Sequence, residues 1–411
     1  MKILVLAGGY DQIAFVKELQ KYGHEVILAD YFVNPPAKKY VKKHFQISTL
    51  DEEAIYKLAV LEKIDLITTA CADQALLTVS RISERLDLPC YLSSKTAESV
   101  TNKAYMKAKF NEYGIPTSKS IVLNEESDYF QTELIKLRKP LIVKPCDCNS
   151  SKGVVKVTSE NELRYSIDYA FKLSRSKKVI IEEFIEGQEI SIDVWKDNIG
   201  VKIISISESK KIQLNSENFT IYQSRYPVDI ADNLIEKIRL IAEKLYLAFG
   251  LNNCPILIQA IINDNEINVI EFSARMGGGS KYKFIEYMSG INIMKIYTER
   301  VLGNTQHIVN PKSSKKSIEL NYVYAYNGVF DKLIGFCDAL SNRDICELFQ
   351  YKLEGSLIEN KITSSDRIVG FLIEDDSYEL VKKKRIKLLK HLDILDNNGN
   401  SIMYKECFYQ D

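Results

Sequence analysis

The 411-residue sequence holds only four histidines and one tryptophan, and its eight cysteines are scattered. No histidines pair at ligand spacing, and Cys146-x-Cys148 lacks the CxxC spacing of a redox or metal motif, so a zinc site is not expected. Single cysteines in a long chain that needs no cross-links predict reduced thiols and a cytoplasmic protein. Net charge is also missing: 55 basic residues balance 55 acidic ones. Without a basic excess, nucleic acid is not an expected partner. No apolar run reaches the length of a membrane span, which excludes a membrane partner at this level. The opening "MKILVLAGGY" has too few apolar residues before Gly8 for a signal peptide. The GxGxxG fingerprint is absent as well. "AGGYDQ" with Asp30 after the next strand supports a tight strand-to-helix turn better than a nicotinamide oxidoreductase.

What is present is an alternation. "KILVLAG", "HEVILAD" and "IDLITTA" read as buried strands, with "QIAFVKELQKYG" and "DQALLTVSRISERLDLP" as helices. That order predicts a parallel sheet covered by helices on both faces. A helix is expected from Ala97 to Gly114. Further on, "PLIVKP", "VVKVTS" and "KVIIEEFIEGQEISIDVW" read as strands, the last broken at Glu186-Gly187. "YELVKKKRIKLLKHLDIL" reads as a basic helix whose "KKKR" forms a solvated face.

The residues able to do chemistry gather late in the chain. In "INVIEFSARMGGG", strand alternation puts Glu271, Ser273 and Arg275 on one face, with Ile270 and Phe272 on the other. A hairpin loop at 264–266 sets Gln259 opposite Glu271. An amide oxygen, a carboxylate and a hydroxyl then stand together, a set suited to Mg²⁺; a surface strand with incidental polar residues is the competing reading. Arg275 favours the first, because a guanidinium beside a metal serves where anionic groups converge. Gly277-Gly278-Gly279 leaves amides free to face an anion, or makes a flexible turn. Lys144 ends an apolar strand beside a loop of small residues, where it meets phosphate oxygens or snorkels to the surface. Lys103 lies in the first turn or two of a helix, where the macrodipole favours an anion and not a cation. Glu182, Glu183, Ile185 and Glu189 border a strand break able to read an adenine edge and a ribose, or form an acidic turn. Tyr222 and Arg225 are candidates for a substrate carboxylate, against a surface-loop alternative.

In order, "TNK", "IVKP" with its small-residue loop, "IIEEFIEGQE", "IQA" and "VIEFSAR" resemble the ATP-grasp superfamily. The resemblance is to the carboxylate–amine ligase branch and the synthetase halves of carbamoyl phosphate synthase. It implies α/β and α+β architecture: a pre-grasp Rossmann-like domain at 1–96, a two-lobed ATP-grasp domain at 97–306 and a C-terminal α+β domain at 307–411. It implies ATP and Mg²⁺ as cofactors. Lys103 and Lys144 are then phosphate-contacting lysines. Ser150, Ser151, Lys152 and Gly153 belong to a lid. Glu182, Glu183 and Ile185 read adenine, and Glu189 the ribose. Gln259, Glu271 and Ser273 hold metal, and Arg275 and Lys144 act in catalysis. The lid carries one glycine where several are usual, and Ser273 replaces an asparagine, which weakens a second metal position. The implied reaction activates a carboxylate as an acyl phosphate for attack by an amine, with small-molecule substrates, amino acids among them. A bicarbonate-activating carboxylase-like enzyme of nucleotide-precursor metabolism and a non-catalytic ATP-binding module are the alternatives. A homodimer is common in the family.

Overall fold

The computed structural model describes residues 1–124, 136–148, 152–212, 219–304, 307–359 and 362–409. The first segment runs β1 (Lys2–Leu6), α1 (Tyr10–Lys21), β2 (Glu25–Asp30), β3 (Lys43–Gln46), α2 (Glu52–Glu62), β4 (Leu66–Thr68) and α3 (Asp73–Arg85). Its strands form the expected parallel sheet, in the order β3-β2-β1-β4. Alternate residues of β1 serve two cores: Ile3 and Val5 enter one, Leu4 and Leu6 the other. That division is why the strand reads as a continuous apolar run. The turn after β1 is used by the chain itself. Asp30 accepts the Gly8 N–H at 2.6 Å and the Phe32 N–H at 2.7 Å. A Cβ on Gly8 would stand 2.7 Å from Pro35.

The expected single helix from Ala97 to Gly114 is two helices, α4 (Ser94–Thr101) and α5 (Lys103–Glu112). Asn102 between them is extended, and its side chain accepts the Tyr105 N–H at 3.1 Å. Asparagine is a strong helix N-cap, so it restarts the helix where apolar spacing alone suggests continuity. Lys103 thereby becomes the first residue of α5.

Two antiparallel sheets follow. The smaller has the order β5-β8-β6-β7, from β5 (Ser120–Asn124), β6 (Leu141–Pro145), β7 (Val155–Val157) and β8 (Lys178–Glu183), backed by α6 (Glu160–Leu173). The larger begins with β9 (Gln188–Lys196), β10 (Val201–Lys211) and β11 (Ile221–Tyr226). After α7 (Asp232–Ala248) come β12 (Cys254–Asn263) and β13 (Glu266–Ser273), then α8 (Lys281–Ser289) and α9 (Ile293–Val301). The strand break at Glu186-Gly187 is the crossing from the smaller sheet to the larger. Gly187 makes it possible: its φ is +154°, and a Cβ there would collide with the Ile262 carbonyl.

The remaining elements are β14 (Ser317–Ala325), β15 (Gly328–Ile334), α10 (Phe336–Ser341), β16 (Glu347–Gln350), β17 (Leu357–Ile358), β18 (Val369–Asp375), α11 (Tyr378–Leu389), β19 (Asp393–Asp396) and β20 (Met403–Tyr404). The larger sheet, in the order β13-β12-β9-β10-β11-β14-β18-β16, continues through this segment without interruption. Phe15, Phe284, Tyr297, Leu320 and Phe371 share one hydrophobic cluster, so the first and last parts of the chain close on a common core. The basic helix is shorter than expected, its last residues forming β19. Nor is "KKKR" wholly a solvated face. Arg385 is fully buried, with Nη1 3.1 Å from Glu319 Oε1 of β14. Val381, Arg385 and Leu388 share the packed stripe at helical spacing. Among the described residues no helix is long and apolar enough to cross a membrane.

Candidate active site

The polar edge of the β12–β13 hairpin opens into a cleft of about 320 Å³. The hairpin turns on Asp264-Asn265, with Asn263 paired to Glu266, so its loop is one residue shorter than expected. That register alone would set Gln259 opposite Ile270. A bulge between Gln259 and Ala260 shifts it by one, and Gln259 pairs with Glu271 after all. Ile270 is the extra residue and, contrary to simple alternation, does not share the buried face. That face passes from Ile267 and Val269 to Phe272.

Gln259, Glu271, Ser273 and Arg275 all line the cleft, as do Lys103 and Glu189. Lys103 Nζ lies 2.6 Å from the Cys148 carbonyl and 3.5 Å from Glu271 Oε2. Burial pushes the Glu271 carboxyl up, but Lys103 and Lys144 more than offset this and hold it below its ordinary value. Lys144 Nζ stands 2.9 Å from Glu182 Oε2, and Lys107 Nζ 3.1 Å from Glu182 Oε1. Burial likewise raises Glu182, and the two ammonium groups override it, setting its pKa at about 2. Glu183 turns aside to Arg138, whose backbone N–H it accepts at 3.0 Å. Ile185 lies in the crossing between the sheets, half-buried. Glu189 forms an ion pair with Lys211, which also borders the cleft.

These features coincide with a known pattern. Residues 137–283 match the ATP-grasp domain family. That stretch of the chain carries an ATP-grasp domain. The chain is 30% identical over 185 residues to a D-alanine–D-alanine ligase of Flavobacterium johnsoniae, covering 43% of this chain and 55% of that one. It is 25% identical over 252 residues to a formate-dependent phosphoribosylglycinamide formyltransferase of Haemophilus ducreyi, covering 61% and 63%. The aligned part is thus under two thirds of the length of either curated relative. The structure superimposes on an L-amino acid ligase from Bacillus licheniformis with a TM-score of 0.77 at 21% identity, over 97% of this chain and 99% of that one. The shared fold is mixed α/β and α+β, as the motifs imply.

Several residues singled out in the sequence are placed away from the open cleft. The amides of Gly279 and Ser280 do not face an open anion site; they donate to the Asp11 carboxylate at 2.8 and 2.7 Å. Tyr222 packs edge-on against Phe408, and Arg225 bonds Gln223 and stacks on Tyr378, so neither lines the cleft; Ile221 and Ser224 do. Gly153, at φ +75°, faces Leu173 and Pro145, and neither it nor Lys152 borders the cleft. Ser150 and Ser151 lie outside the described residues.

Other groups in or beside the cleft carry weaker sequence signals. Lys107 stands four residues after Lys103, on the same helix face, a spacing that could have found it. Asp73 receives two hydrogen bonds from Arg275. Lys281 follows the glycine run and bonds Ser191, with Asp193 at 3.4 Å. Burial lowers its pKa against the pull of Asp193. Arg367 enters from the last hundred residues, with no local motif to announce it.

Among the described residues there is no group of three or more His, Cys, Asp or Glu arranged to hold an ion. One carboxylate, one amide and one hydroxyl fit Mg²⁺, which keeps water and phosphate oxygens in the rest of its shell.

Proposed function

We propose that this chain is an ATP-dependent carboxylate–amine ligase, releasing ADP and phosphate. One observation carries the reading: Lys103, Glu189, Gln259, Glu271 and Arg275, far apart in sequence, border a single cleft.

A carboxylate is a poor electrophile. In the proposed reaction its oxygen attacks the γ-phosphorus of ATP and ADP leaves. The amine nitrogen then attacks the acyl carbon of the resulting acyl phosphate. The C–O bond to phosphate breaks, and the nitrogen's proton passes to solvent. Clustered negative charge must be neutralised and water kept from the mixed anhydride.

Lys103 and Lys144 supply positive charge to the phosphates, each leaving a carboxylate partner to do so. Arg275, held at two points by Asp73, steadies the acyl phosphate. Ile185 supports the adenine assignment, because its backbone N–H and C=O have no partner among the described residues. Glu182, Glu183 and Glu189 complete the nucleotide site in this reading. Gln259, Glu271 and Ser273 would hold Mg²⁺, which supplies charge neutralisation between phosphate groups when bound.

All eight cysteines are free, which supports a reducing compartment, the cytoplasm. The substrates proposed are small carboxylates and amines; sedimentation of the purified chain tests a homodimer.

The function is tested by incubating the protein with ATP, Mg²⁺ and pooled amino acids. Phosphate release that depends on both a carboxylate and an amine supports it. Release that depends on bicarbonate alone selects the carboxylase-like alternative. ATP binding with no release in any pool selects a binding module.

A further inference from the structure

Besides Lys103 and Lys211, the latter paired with Glu189, three cations border the cleft: Arg275, Lys281 and Arg367. Two are answered by carboxylates, Arg275 by Asp73 and Lys281 by Asp193. Arg367 is not. Among the described residues no carboxylate forms an ion pair with it, though it is half-buried.

The guanidinium is nonetheless held in place. Its Nε donates to Tyr324 Oη at 3.2 Å. Its central carbon lies 3.7 Å from the centroid of the Tyr322 ring. Nη1 occupies the space where a side chain on Gly279 would begin. Tyr322 is braced in turn, donating from Oη to the Gly279 carbonyl at 3.0 Å. All these partners are neutral, so they orient the charge without cancelling it. A sheltered guanidinium, oriented by neutral groups and without a direct ion pair, favours an anion that can take two of its N–H groups.

The neighbourhood also limits that anion. Asp11, fixed by the amides of Gly279 and Ser280, acts electrostatically on Arg367. A carboxylate close by disfavours a polyanion such as a second phosphate ester and leaves room for a single negative charge. The glycine run leads directly from Arg275, where the activated carboxylate is placed, to Arg367. The anion at Arg367 is therefore a second group, not the one that reacts.

We propose that Arg367 binds the free carboxylate of the amine substrate, which makes that substrate an amino acid. The inference rests on the ligase reading above and names the substrate class of its second half-reaction. The amine nitrogen forms the new bond, and the carboxylate held at Arg367 stays intact in the product.

The test measures phosphate release from ATP with each amino acid paired first with other free amino acids, then with their C-terminal amides. An amide can serve only as the amine. The expected result is a preference for the free acid of about ten- to hundredfold in kcat/KM, the range for a charged hydrogen bond. In Arg367→Met the preference falls close to unity, mainly through KM, while ATP affinity is unchanged. Arg367→Lys keeps part of the preference and carries the test if the methionine variant does not fold. Equal use of acid and amide by the native chain, or an undiminished preference in Arg367→Met, overturns the proposal. Turnover with ethylamine and no gain from an acceptor carboxylate removes it while leaving the ligase reading intact. No turnover with any carboxylate–amine pair removes both.

Discussion

Arg275 and Asp73 meet in a two-point ion pair, Nε lying 2.7 Å from Oδ1 and Nη2 meeting Oδ2. The contact ties the end of β13 to the first turn of α3, joining the large sheet to the parallel one. Both side chains are mostly sheltered, at 14% and 16% exposure, so removing one strands the other in low dielectric. Asp73→Asn should destabilise the protein by roughly 2–4 kcal/mol in denaturant unfolding. Adding Arg275→Met should recover part of that loss, which a double-mutant cycle measures. Full additivity would mean that the pair is not coupled.

Acid should find Glu182. Its pKa of about 2 lies below the ordinary 4.5 that it regains on unfolding. The folded state therefore binds this proton less readily than the unfolded state. Its contribution is complete above pH 4.5 and disappears as pH falls through about 2. The full shift corresponds to roughly 3 kcal/mol, of which roughly 2 is lost between pH 7 and pH 3. Glu182→Gln should flatten that part of the stability profile, although it lowers stability at pH 7 by leaving Lys107 and Lys144 unpaired. An equally steep acid limb in the variant would place the titration elsewhere.

Metal dependence separates Gln259 from Glu271. Glu271→Gln removes the charged oxygen and should raise the Mg²⁺ needed for half-maximal ATP binding by roughly tenfold or more. Gln259→Glu places a second carboxylate across the hairpin and should lower it. Titrating Mg²⁺ at fixed ATP reads both. If both changes shift the requirement the same way, the hairpin is not where the ion sits.

Away from the cleft, Arg385 and Glu319 form a buried pair between α11 and β14. Arg385→Met alone should cost roughly 2–3 kcal/mol, because Glu319 then keeps Arg225, at 3.7 Å, as its cationic partner. Combining it with Glu319→Leu should recover only part of that loss in unfolding midpoints, because Arg225 and Gln223 also lose Glu319. Because the pair does not line the cleft, nucleotide affinity should not follow stability in either variant.

The parallel sheet was legible because each of its strands is an apolar run between helices. The crossing between the sheets was legible because Glu186-Gly187 interrupts the apolar pattern. The opposition of Gln259 and Glu271 was reached through a loop one residue too long, offset by a bulge that pattern alone does not show. Asn102 was hidden in an apolar periodicity that continues across it, though an N-cap residue was there to be read. Arg385 escaped because a lysine-rich run looks solvated, and only Val381 four residues before it and Leu388 three after it place it inside.

The rest of the cleft depends on distance along the chain. Asp11, Asp73 and Arg367 reach it through docking of separate segments, which local patterns do not encode. The glycine run shows the limit most plainly. Its backbone freedom was evident, but the partner of its amides is a carboxylate from α1. Composition could not tell whether those amides met a ligand or the protein's own acid.

The common core has a consequence for biosynthesis. Tyr10 of α1 packs edge-on against Phe349 and Tyr351, so one side of that helix is covered by residues translated late. In a nascent chain that aromatic side of α1 stays without its partners until residues beyond 340 have left the ribosome. The first sheet can bury both faces early with its own helices, so a holding chaperone would find its docking place on the outer side of α1 and not on β1.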